Sequence, residues 1–276
     1  MSDVVRVETA DRVCTVTLHR PEARNALNTA LHRASGAALA AAEDDEGVDV
    51  VVLTGADPAF CAGLDLKELG SGGANLAGGR DDDSHDDDDS HDDDSRDSSR
   101  DSRWTNPIQA VWAMTKPVIG AINGACITGG FELALGCDFL VASERAFFGD
   151  THARVGVTPG GGMSVYLPMA VGLRRAKEMS LTGNFVDAPE AHRLGLVNHV
   201  VAHDELLSSA HSLAIDIAAN DGPTVRHLKA LYDHNAALPV GEAIAHEQAV
   251  FRDFRVDFDE IERRRIAIVD RGRSQR

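Results

Sequence analysis

Two short glycine-containing turns have the residue types needed to hold a developing negative charge on oxygen. They read "AFCAGLDL" and "CITGGFELAL", and each follows an apolar run and leads toward a helix. The first N–H groups of a helix have no intrahelical acceptors, and small residues at Ala62, Gly129 and Gly130 let a carbonyl oxygen approach the backbone. If the turns lie side by side in a sheet, their N–H groups form an oxyanion hole. The alternative is that the glycines only make tight turns.

Two ionisable residues lie where they can serve such a site. Glu132 follows Gly129 by three residues, one turn into the predicted helix, where the helix dipole favours a carboxylate. His152 lies in the stretch "FFGDTHARVGVTPGGG", and an imidazole exchanges protons near neutral pH. The competing interpretations are a surface position for Glu132 and a structural role for His152, bound to Asp150 or to a backbone carbonyl.

The apolar pattern around these residues predicts an α/β fold. The segments "VVRVET" and "VCTVTLH" alternate and are separated by "ADR", which predicts an antiparallel hairpin. Asn28 or Thr29 is predicted to cap the helix that follows. A strand, a glycine turn, a helix and a strand then occur in that order twice, and the run "VDVVVLTG" is typical of a strand buried on both faces. From about residue 202 the pattern is mostly helical.

Composition and charge argue against several classes of function. The net charge is −17, of which residues 80–103 contribute −8, so we expect no broad nucleic-acid footprint. We predict that residues 71–103 are disordered because the segment has few apolar residues. A divalent-cation site or a lid formed by its Asp residues is the alternative. The signatures GxSxG, GxxxxGK[ST], GxGxxG and HExxH are missing from the sequence.

The cysteines and the apolar runs bear on the compartment. The sequence has no apolar run long enough for a transmembrane helix, and its first residues lack the features of a secretory signal. Cys14, Cys61, Cys126 and Cys137 lie in apolar or glycine-rich surroundings without CxxC spacing. We interpret them as buried thiols in a reducing environment and expect a cytoplasmic protein.

Four segments together resemble a known family. They are "RPEARNALN", "VVVLTGADPAFCAGLDLKEL", "KPVIGAINGACITGGFELALGCDFLVAS" and "VGVTPGGG". In this order they resemble the enoyl-CoA hydratase/isomerase, or crotonase, superfamily over most of residues 4–70 and 104–200. The resemblance implies a crotonase-like spiral of repeated ββα units over 1–200 and a helical C-terminal trimerisation region over 201–276. It also implies an acyl-CoA substrate, a homotrimer or dimer of trimers, and no cofactor, since CoA is part of the substrate.

The resemblance also implies roles for individual residues. The N–H groups of Ala62 and Gly129 match the oxyanion hole, and Glu132 matches the first of two acid/base glutamates. The residues expected to contact CoA and the acyl chain are Arg24, Ala26, Asp65, Leu66, Gly130, Pro159 and Gly160. We expect no metal ligands, no nucleic-acid partner and no membrane insertion.

The stretch around His152 departs from the family. Hydratases of the family carry their second glutamate in a stretch like FGQPEIxLG, whereas this chain has "FGDTHARVG". In register, His152 stands at the position of that glutamate. Hydration of a conjugated thioester needs a water activated at the β-carbon and a proton delivered at the α-carbon. Glu132 and a neutral imidazole can share that work, so we predict that Glu132 and His152 are the catalytic pair.

Several functions remain compatible with these residues. The leading prediction is an enoyl-CoA hydratase-type enzyme, a lyase that acts through a stabilised enolate. The alternatives are Δ3,Δ2-enoyl-CoA isomerisation by Glu132 alone and another acyl-CoA reaction of the family, because one fold serves many reactions. Outside enzymes, the alternatives are an acyl-CoA binder without turnover and a cation-buffering protein. The last of these rests only on the Asp-rich segment.

Overall fold

The computed structural model describes residues 4–70 and 103–274. The disorder predicted for 71–103 therefore lies outside the described residues, apart from Arg103. By its internal contacts the chain divides into two compact units, Met1–Arg226 and His227–Arg276. The described strands all belong to the first unit, whereas the described part of the second unit is helical.

Ten strands of the described chain form two sheets. In chain order they are β1 (Val5–Ala10), β2 (Val13–Leu18), β3 (Val50–Gly55), β4 (Ala59–Cys61), β5 (Val118–Ile122), β6 (Ala125–Ile127), β7 (Phe139–Ser143), β8 (Phe147–Gly149), β9 (Val186–Asp187) and β10 (His199–Val201). The larger sheet has the order β1-β2-β3-β5-β7-β10. Strands β1 and β2 are antiparallel, which confirms the predicted hairpin, and the other neighbours in this sheet are parallel.

Helices connect most of these strands. The described helices are α1 (Thr29–Asp44), α2 (Leu66–Gly70), α3 (Pro107–Ala113), α4 (Gly129–Leu135), α5 (His152–Val155), α6 (Met163–Val171), α7 (Leu173–Thr182), α8 (Ala188–Arg193), α9 (Leu206–Ala218), α10 (Gly222–Asn235), α11 (Val240–Asp253) and α12 (Phe258–Ser274). The side chain of Asn28 caps α1 by accepting the N–H of Leu31, which selects Asn28 over Thr29 as the cap. Among the described residues, no helix has both the length and the apolar character needed to cross a membrane.

Strand β3 is buried on both faces, as its apolar run predicts. Val51 and Leu53 pack in one hydrophobic cluster with residues of α1, and Val50 and Val52 pack in a second cluster with residues of α9. Successive side chains of a strand point to opposite faces of the sheet. A strand covered by a helix on each side therefore needs apolar residues at every position.

The smaller sheet was not predicted from the sequence. Its order is β4-β6-β8-β9, and β4, β6 and β8 each have only three residues. Strands β4 and β6 are parallel, with Cys61 opposite Cys126. The two glycine turns directly follow these two neighbouring strands. The smaller sheet is therefore what brings the turns side by side.

Helix α9 affects where the C-terminal region begins. Leu206, Ala210 and Ala214 of this helix are buried against the larger sheet. The first compact unit consequently runs to Arg226, whereas the boundary predicted from the sequence lies between residues 200 and 201. The predicted role of 201–276 in oligomerisation stays a prediction.

A buried lysine ties α1 to the segment just before β5. The Lys116 side chain is 5% exposed, and its Nζ donates to the carbonyl oxygens of Ala42 at 2.8 Å and Asp45 at 2.7 Å. These carbonyls lie at the C-terminal end of α1, where backbone acceptors lack intrahelical donors. Lys116 therefore supplies the hydrogen bonds that end the helix.

We expect Lys116→Met to lower the free energy of unfolding by about 2–3 kcal/mol, because the buried carbonyl of Ala42 and the part-buried carbonyl of Asp45 lose a charged donor. Denaturant titration of the purified protein measures the change. Lys177→Met, at an exposed position of α7, is the matched control and should stay within about 0.5 kcal/mol of the wild type. Equal stability of the Lys116 variant and the control would contradict the capping role.

Candidate active site

The backbone N–H of Ala62 is not available to a substrate. It donates to the carbonyl oxygen of Arg24 at 3.0 Å. The assignment of Ala62 to the oxyanion hole is therefore wrong in this structure, because its hydrogen is already bound within the protein. The prediction placed the oxyanion hole in this turn but assigned it to the N–H of Ala62, which is bound to Arg24.

Leu64 supplies the N–H group of this turn that has no acceptor among the described residues. Leu64 forms a parallel bridge with Leu27, in which the N–H of Leu27 donates to the Gly63 oxygen at 2.7 Å. In a trans peptide the oxygen of one residue and the N–H of the next point in opposite directions. The N–H of Leu64 therefore points away from Leu27. Sequence analysis missed this residue because the segment that pairs with the turn is not visible in the sequence.

The N–H groups of Leu64 and Gly129 lie close together. A Cβ atom added to Gly129 would be 3.7 Å from the Leu64 nitrogen. Gly129 is the first residue of α4, and the preceding residue Thr128 provides no side-chain cap. Within the described parts of the chain, neither N–H has a protein acceptor. This pair can hold an oxyanion, and the role predicted for Gly129 stays a prediction.

Gly130 has a packing role. A Cβ atom at this position would lie 2.2 Å from the Cys61 carbonyl oxygen, which is far inside contact distance. Glycine is therefore required for α4 to pack against β4 and for the two turns to approach each other. The predicted substrate contact of Gly130 stays a prediction.

We expect Gly130→Ala to lower the free energy of unfolding by about 3 kcal/mol, because the new methyl group meets backbone that cannot move aside easily. Thermal and denaturant unfolding provide the measurement. Gly160→Ala is the matched control, since no atom lies within 4 Å of a Cβ added at Gly160. A Gly130 variant as stable as this control would show that the two turns can separate at little cost.

Glu132 and His152 face each other in a buried space. Glu132 is 4% exposed and His152 is 6% exposed. Oε2 of Glu132 lies 3.8 Å from Nε2 of His152, and Oε1 of Glu132 accepts the N–H of Gly161 at 2.7 Å. A surface position for Glu132 is thereby ruled out. The structure brings together the two residues that the sequence paired, and it adds Gly161, whose lack of a side chain leaves room for the carboxylate.

His152 also has the partner that its structural interpretation requires. Its Nδ1 lies 2.6 Å from Oδ1 of Asp150, which is buried. The two interpretations of His152 are therefore compatible, because Asp150 binds one ring nitrogen while the other faces Glu132. Sequence analysis named Asp150 only in the structural interpretation of His152, as one of two partners for the ring.

Burial and hydrogen bonding together shift the pKa values of the two carboxyl groups in opposite directions. Burial raises the pKa of Glu132, although the N–H of Gly161 and the nearby His152 act to lower it. For Asp150, burial favours the neutral form, but hydrogen bonds from His152 and Ser180 outweigh burial and lower the pKa. Asp150 is therefore ionised near neutral pH, whereas Glu132 retains a proton more readily than an exposed glutamate does.

Thr128 fixes the start of α4 relative to the segment with His152. It has a φ of +51°, which is uncommon for a β-branched residue. Its N–H donates to Gly149 at 2.9 Å, and its hydroxyl oxygen accepts the N–H of Thr151 at 3.2 Å. The sequence showed no signal for this residue, which lies between the oxyanion hole and the histidine.

Several predicted substrate contacts have structural partners of their own. Asp65 pairs with Arg20 at 3.1 Å and accepts the N–H of Lys67 at the start of α2. The Ala26 carbonyl accepts Nη1 of Arg20 at 2.5 Å. Arg20 therefore links the segment that contains Ala26 to the segment that contains Leu64 and Asp65. The side chain of Asp65 forms one end of this link.

The other predicted contacts are exposed. Arg24 is exposed, and its carbonyl oxygen holds the first glycine turn through Ala62. Leu66 is 63% exposed at the first position of α2. Pro159 and Gly160 are exposed and immediately precede Gly161. These side chains and backbone groups are accessible to a ligand, and their roles in substrate binding stay predictions.

Comparisons with known proteins show which family the chain is similar to. A family model described as Enoyl-CoA hydratase/isomerase matches residues 8–267. The chain is 37% identical to the "Probable enoyl-CoA hydratase" of Rhizobium meliloti (strain 1021), over 94% of this chain and 93% of the relative. It is 36% identical to the "Probable enoyl-CoA hydratase 1, peroxisomal" of Arabidopsis thaliana, over 86% and 80%. The crystal structure of an enoyl-CoA hydratase from Mycobacterium tuberculosis H37Rv is similar with a TM-score of 0.70 and 46% identity, covering 91% of this chain and 98% of that chain.

Proposed function

The chain belongs to the enoyl-CoA hydratase/isomerase family, and we propose that it adds water across the conjugated double bond of an acyl-CoA thioester. One observation supports the proposal above the others. Glu132 and the Nε2 atom of His152 are buried 3.8 Å apart, in the unit that also contains the two unbonded N–H groups. Hydration needs two groups that move protons and one site that holds an enolate oxygen.

The hydration can be written with these groups alone. Nε2 of His152 takes a proton from water while the water oxygen forms a bond to the β-carbon. The π electrons move toward the thioester oxygen, where the N–H groups of Leu64 and Gly129 stabilise the enolate. Glu132 then donates its proton to the α-carbon and the thioester carbonyl forms again. Return of the proton from His152 to Glu132 completes the cycle, so the net change is the addition of one water.

The environment of each group suits its role. Burial raises the pKa of Glu132, which favours the protonated carboxyl group that an acid requires. A separation of 3.8 Å between Glu132 and His152 is longer than a direct hydrogen bond. The two groups are therefore not bonded directly to each other, and Glu132 can act at the α-carbon while His152 acts on the water. No further cofactor takes part in the proposed reaction, since CoA enters and leaves as part of the substrate.

The test is to incubate the purified protein with crotonyl-CoA in ¹⁸O-labelled water and to analyse the product by mass spectrometry. We expect one product, heavier than crotonyl-CoA by one water that contains the labelled oxygen. The Glu132→Ala variant is the control, because the product must disappear if it is formed at this site. Calorimetry on the same proteins measures binding independently of turnover.

The alternative functions give different results in the same experiment. With 3-butenoyl-CoA as a second substrate, conversion to crotonyl-CoA that is then not hydrated would indicate an isomerase that uses Glu132 alone. Binding of crotonyl-CoA without any change in its mass would indicate an acyl-CoA binder. Either outcome would contradict the hydration proposal.

We further propose that the protein forms a homotrimer or a dimer of trimers. The helices of the second unit carry large exposed apolar side chains, among them Val240, Phe251 and Phe258, each more than 70% exposed. Exposed apolar surface of this kind marks a contact between proteins. Sedimentation equilibrium should give the mass of three or six chains, and a monomer would contradict the proposal.

A cytoplasmic location is also a proposal. All four cysteines are free and buried, and burial raises the pKa of Cys61 to about 12, so this thiol remains protonated and unreactive. Free thiols in a chain of this kind are typical of a reducing compartment. Fractionation of the native cells would test the location directly.

A further inference from the structure

Asp150 binds both the backbone and the side chain of His152, which lies two positions further along the chain. Oδ1 of Asp150 lies 2.6 Å from Nδ1 of His152 and also accepts the backbone N–H of His152 at 3.1 Å. Asp150 is 2% exposed. One carboxylate oxygen therefore fixes both the backbone and the ring of the histidine, and little rotational freedom remains for the imidazole.

An ionised Asp150 determines which ring nitrogen carries hydrogen. A carboxylate accepts hydrogen bonds and donates none, so Nδ1 of His152 must be the donor in the 2.6 Å contact. Ser180 on α7 also hydrogen-bonds to Asp150 and stabilises the charged form. In the neutral imidazole with hydrogen on Nδ1, the lone pair is on Nε2.

Nε2 is the nitrogen that faces the reaction centre. It lies 3.8 Å from Oε2 of Glu132, on the side of the ring opposite to Asp150. The opposite tautomer would place a hydrogen on Nε2 and leave two acceptors facing each other at 2.6 Å. The contact with Asp150 therefore selects the tautomer that can accept a proton from water.

We propose that Asp150 is a positioning residue, which holds His152 with hydrogen on Nδ1 so that Nε2 acts as the base toward water and Glu132 is left as the acid. This inference rests on the proposed function, because it assigns the two proton-transfer roles within it. Asp150 is buried and binds the ring nitrogen that faces away from Glu132. It acts through the orientation and the tautomer of the histidine.

The first test is a spectroscopic measurement on the wild-type protein. In ¹⁵N–¹H correlation spectra of the histidine-labelled full chain, the His152 signals are identified by their loss in His152→Ala. We expect a pyrrole-type Nδ1 and a pyridine-type Nε2. The reverse tautomer would overturn the proposal whatever the behaviour of any variant.

The second test uses Asp150→Asn, which keeps the size of the side chain and removes its charge. The amide can turn its NH₂ group toward Nδ1 and impose the wrong tautomer, so we expect kcat for crotonyl-CoA hydration to fall by about 10²-fold with little change in KM. Asp187→Asn is the matched control, because Asp187 also accepts a backbone N–H, at the start of α8, but lies at an exposed position. It should leave kcat unchanged.

A double-mutant cycle separates positioning from a general effect on the fold. In the His152→Ala background, Asp150→Asn should cost no further activity, because Asp150 then has no histidine to position. Losses that multiply would overturn the proposal. Wild-type activity in Asp150→Asn, with His152→Ala impaired, would overturn the role of Asp150 alone. Wild-type activity in His152→Ala would instead overturn the proposed function itself.

Discussion

Replacing Glu132 with Gln is expected to lower kcat for crotonyl-CoA hydration by about 10³-fold. Glutamine has the same shape as glutamate, and its oxygen can still accept the N–H of Gly161 that lies 2.7 Å from Oε1. The variant loses only the proton that Glu132 delivers to the α-carbon. Because binding contacts are kept, KM should change by less than about threefold. The rate of loss of enoyl absorbance gives both constants.

The same substitution should make the protein more stable at neutral pH. The pKa of Glu132 is raised in the folded protein by burial, so the folded state holds this proton more tightly than the unfolded state does. Below about pH 4 the carboxyl group is protonated in both states, and its contribution to stability is fully present. That contribution is lost as the pH rises through the folded pKa. Glu132→Gln has no such loss, so its advantage should grow from acidic to neutral pH.

One control variant and a pH series make the lower activity and the higher stability of Glu132→Gln informative. Glu46→Gln, at an exposed position, removes the same charge from the chain and should change neither kcat nor stability appreciably. Unfolding of all three proteins at several pH values shows whether the advantage of Glu132→Gln depends on pH. A variant that is less active and also less stable at every pH would indicate a structural role for Glu132 and would contradict its role as an acid.

Long apolar patterns made the larger sheet predictable, and short strands made the smaller sheet unpredictable. Successive residues of β3 point to two buried faces, each covered by a helix. The strand is therefore recognised in the sequence by its continuous apolar run. Strands β4, β6 and β8 have three residues each, which is too short for a period of two to be recognised. The glycine turns that follow β4 and β6 were visible in the sequence, whereas the reason for their proximity was not.

The candidate site was predictable in its side chains and less so in its backbone. Glu132 and His152 are identified by residue type and register, and the structure places them 3.8 Å apart. The choice between the N–H groups of Ala62 and Leu64 depends on which way each peptide faces. That direction is set by pairing with Arg24 and Leu27, far from the turn in sequence. Sequence alone shows the turn but not its hydrogen-bonding partner.

The second large effect is expected at His152, where His152→Ala should lower kcat by about 10³-fold because no base remains to accept the proton of water. His152→Glu restores the glutamate typical of the family at this position, yet we expect it to be nearly as inactive. The new carboxylate would stand where Nδ1 lies 2.6 Å from Asp150 and would also face Glu132. Three buried carboxyl groups in contact repel one another and raise each other's pKa.

Neutralising Asp150 should therefore rescue the glutamate. In the family pattern FGQPEIxLG a neutral Gln stands at the position of Asp150, so the acidic residue and the histidine depart from the pattern together. We expect Asp150→Asn/His152→Glu to recover kcat by about tenfold or more over His152→Glu, since removal of one charge relieves the repulsion at 152. Asp150→Asn/His152→Gln has no group to ionise at 152 and should show no recovery. If His152→Glu alone matched the rescued double variant, the charge of Asp150 would not govern which base this site can use.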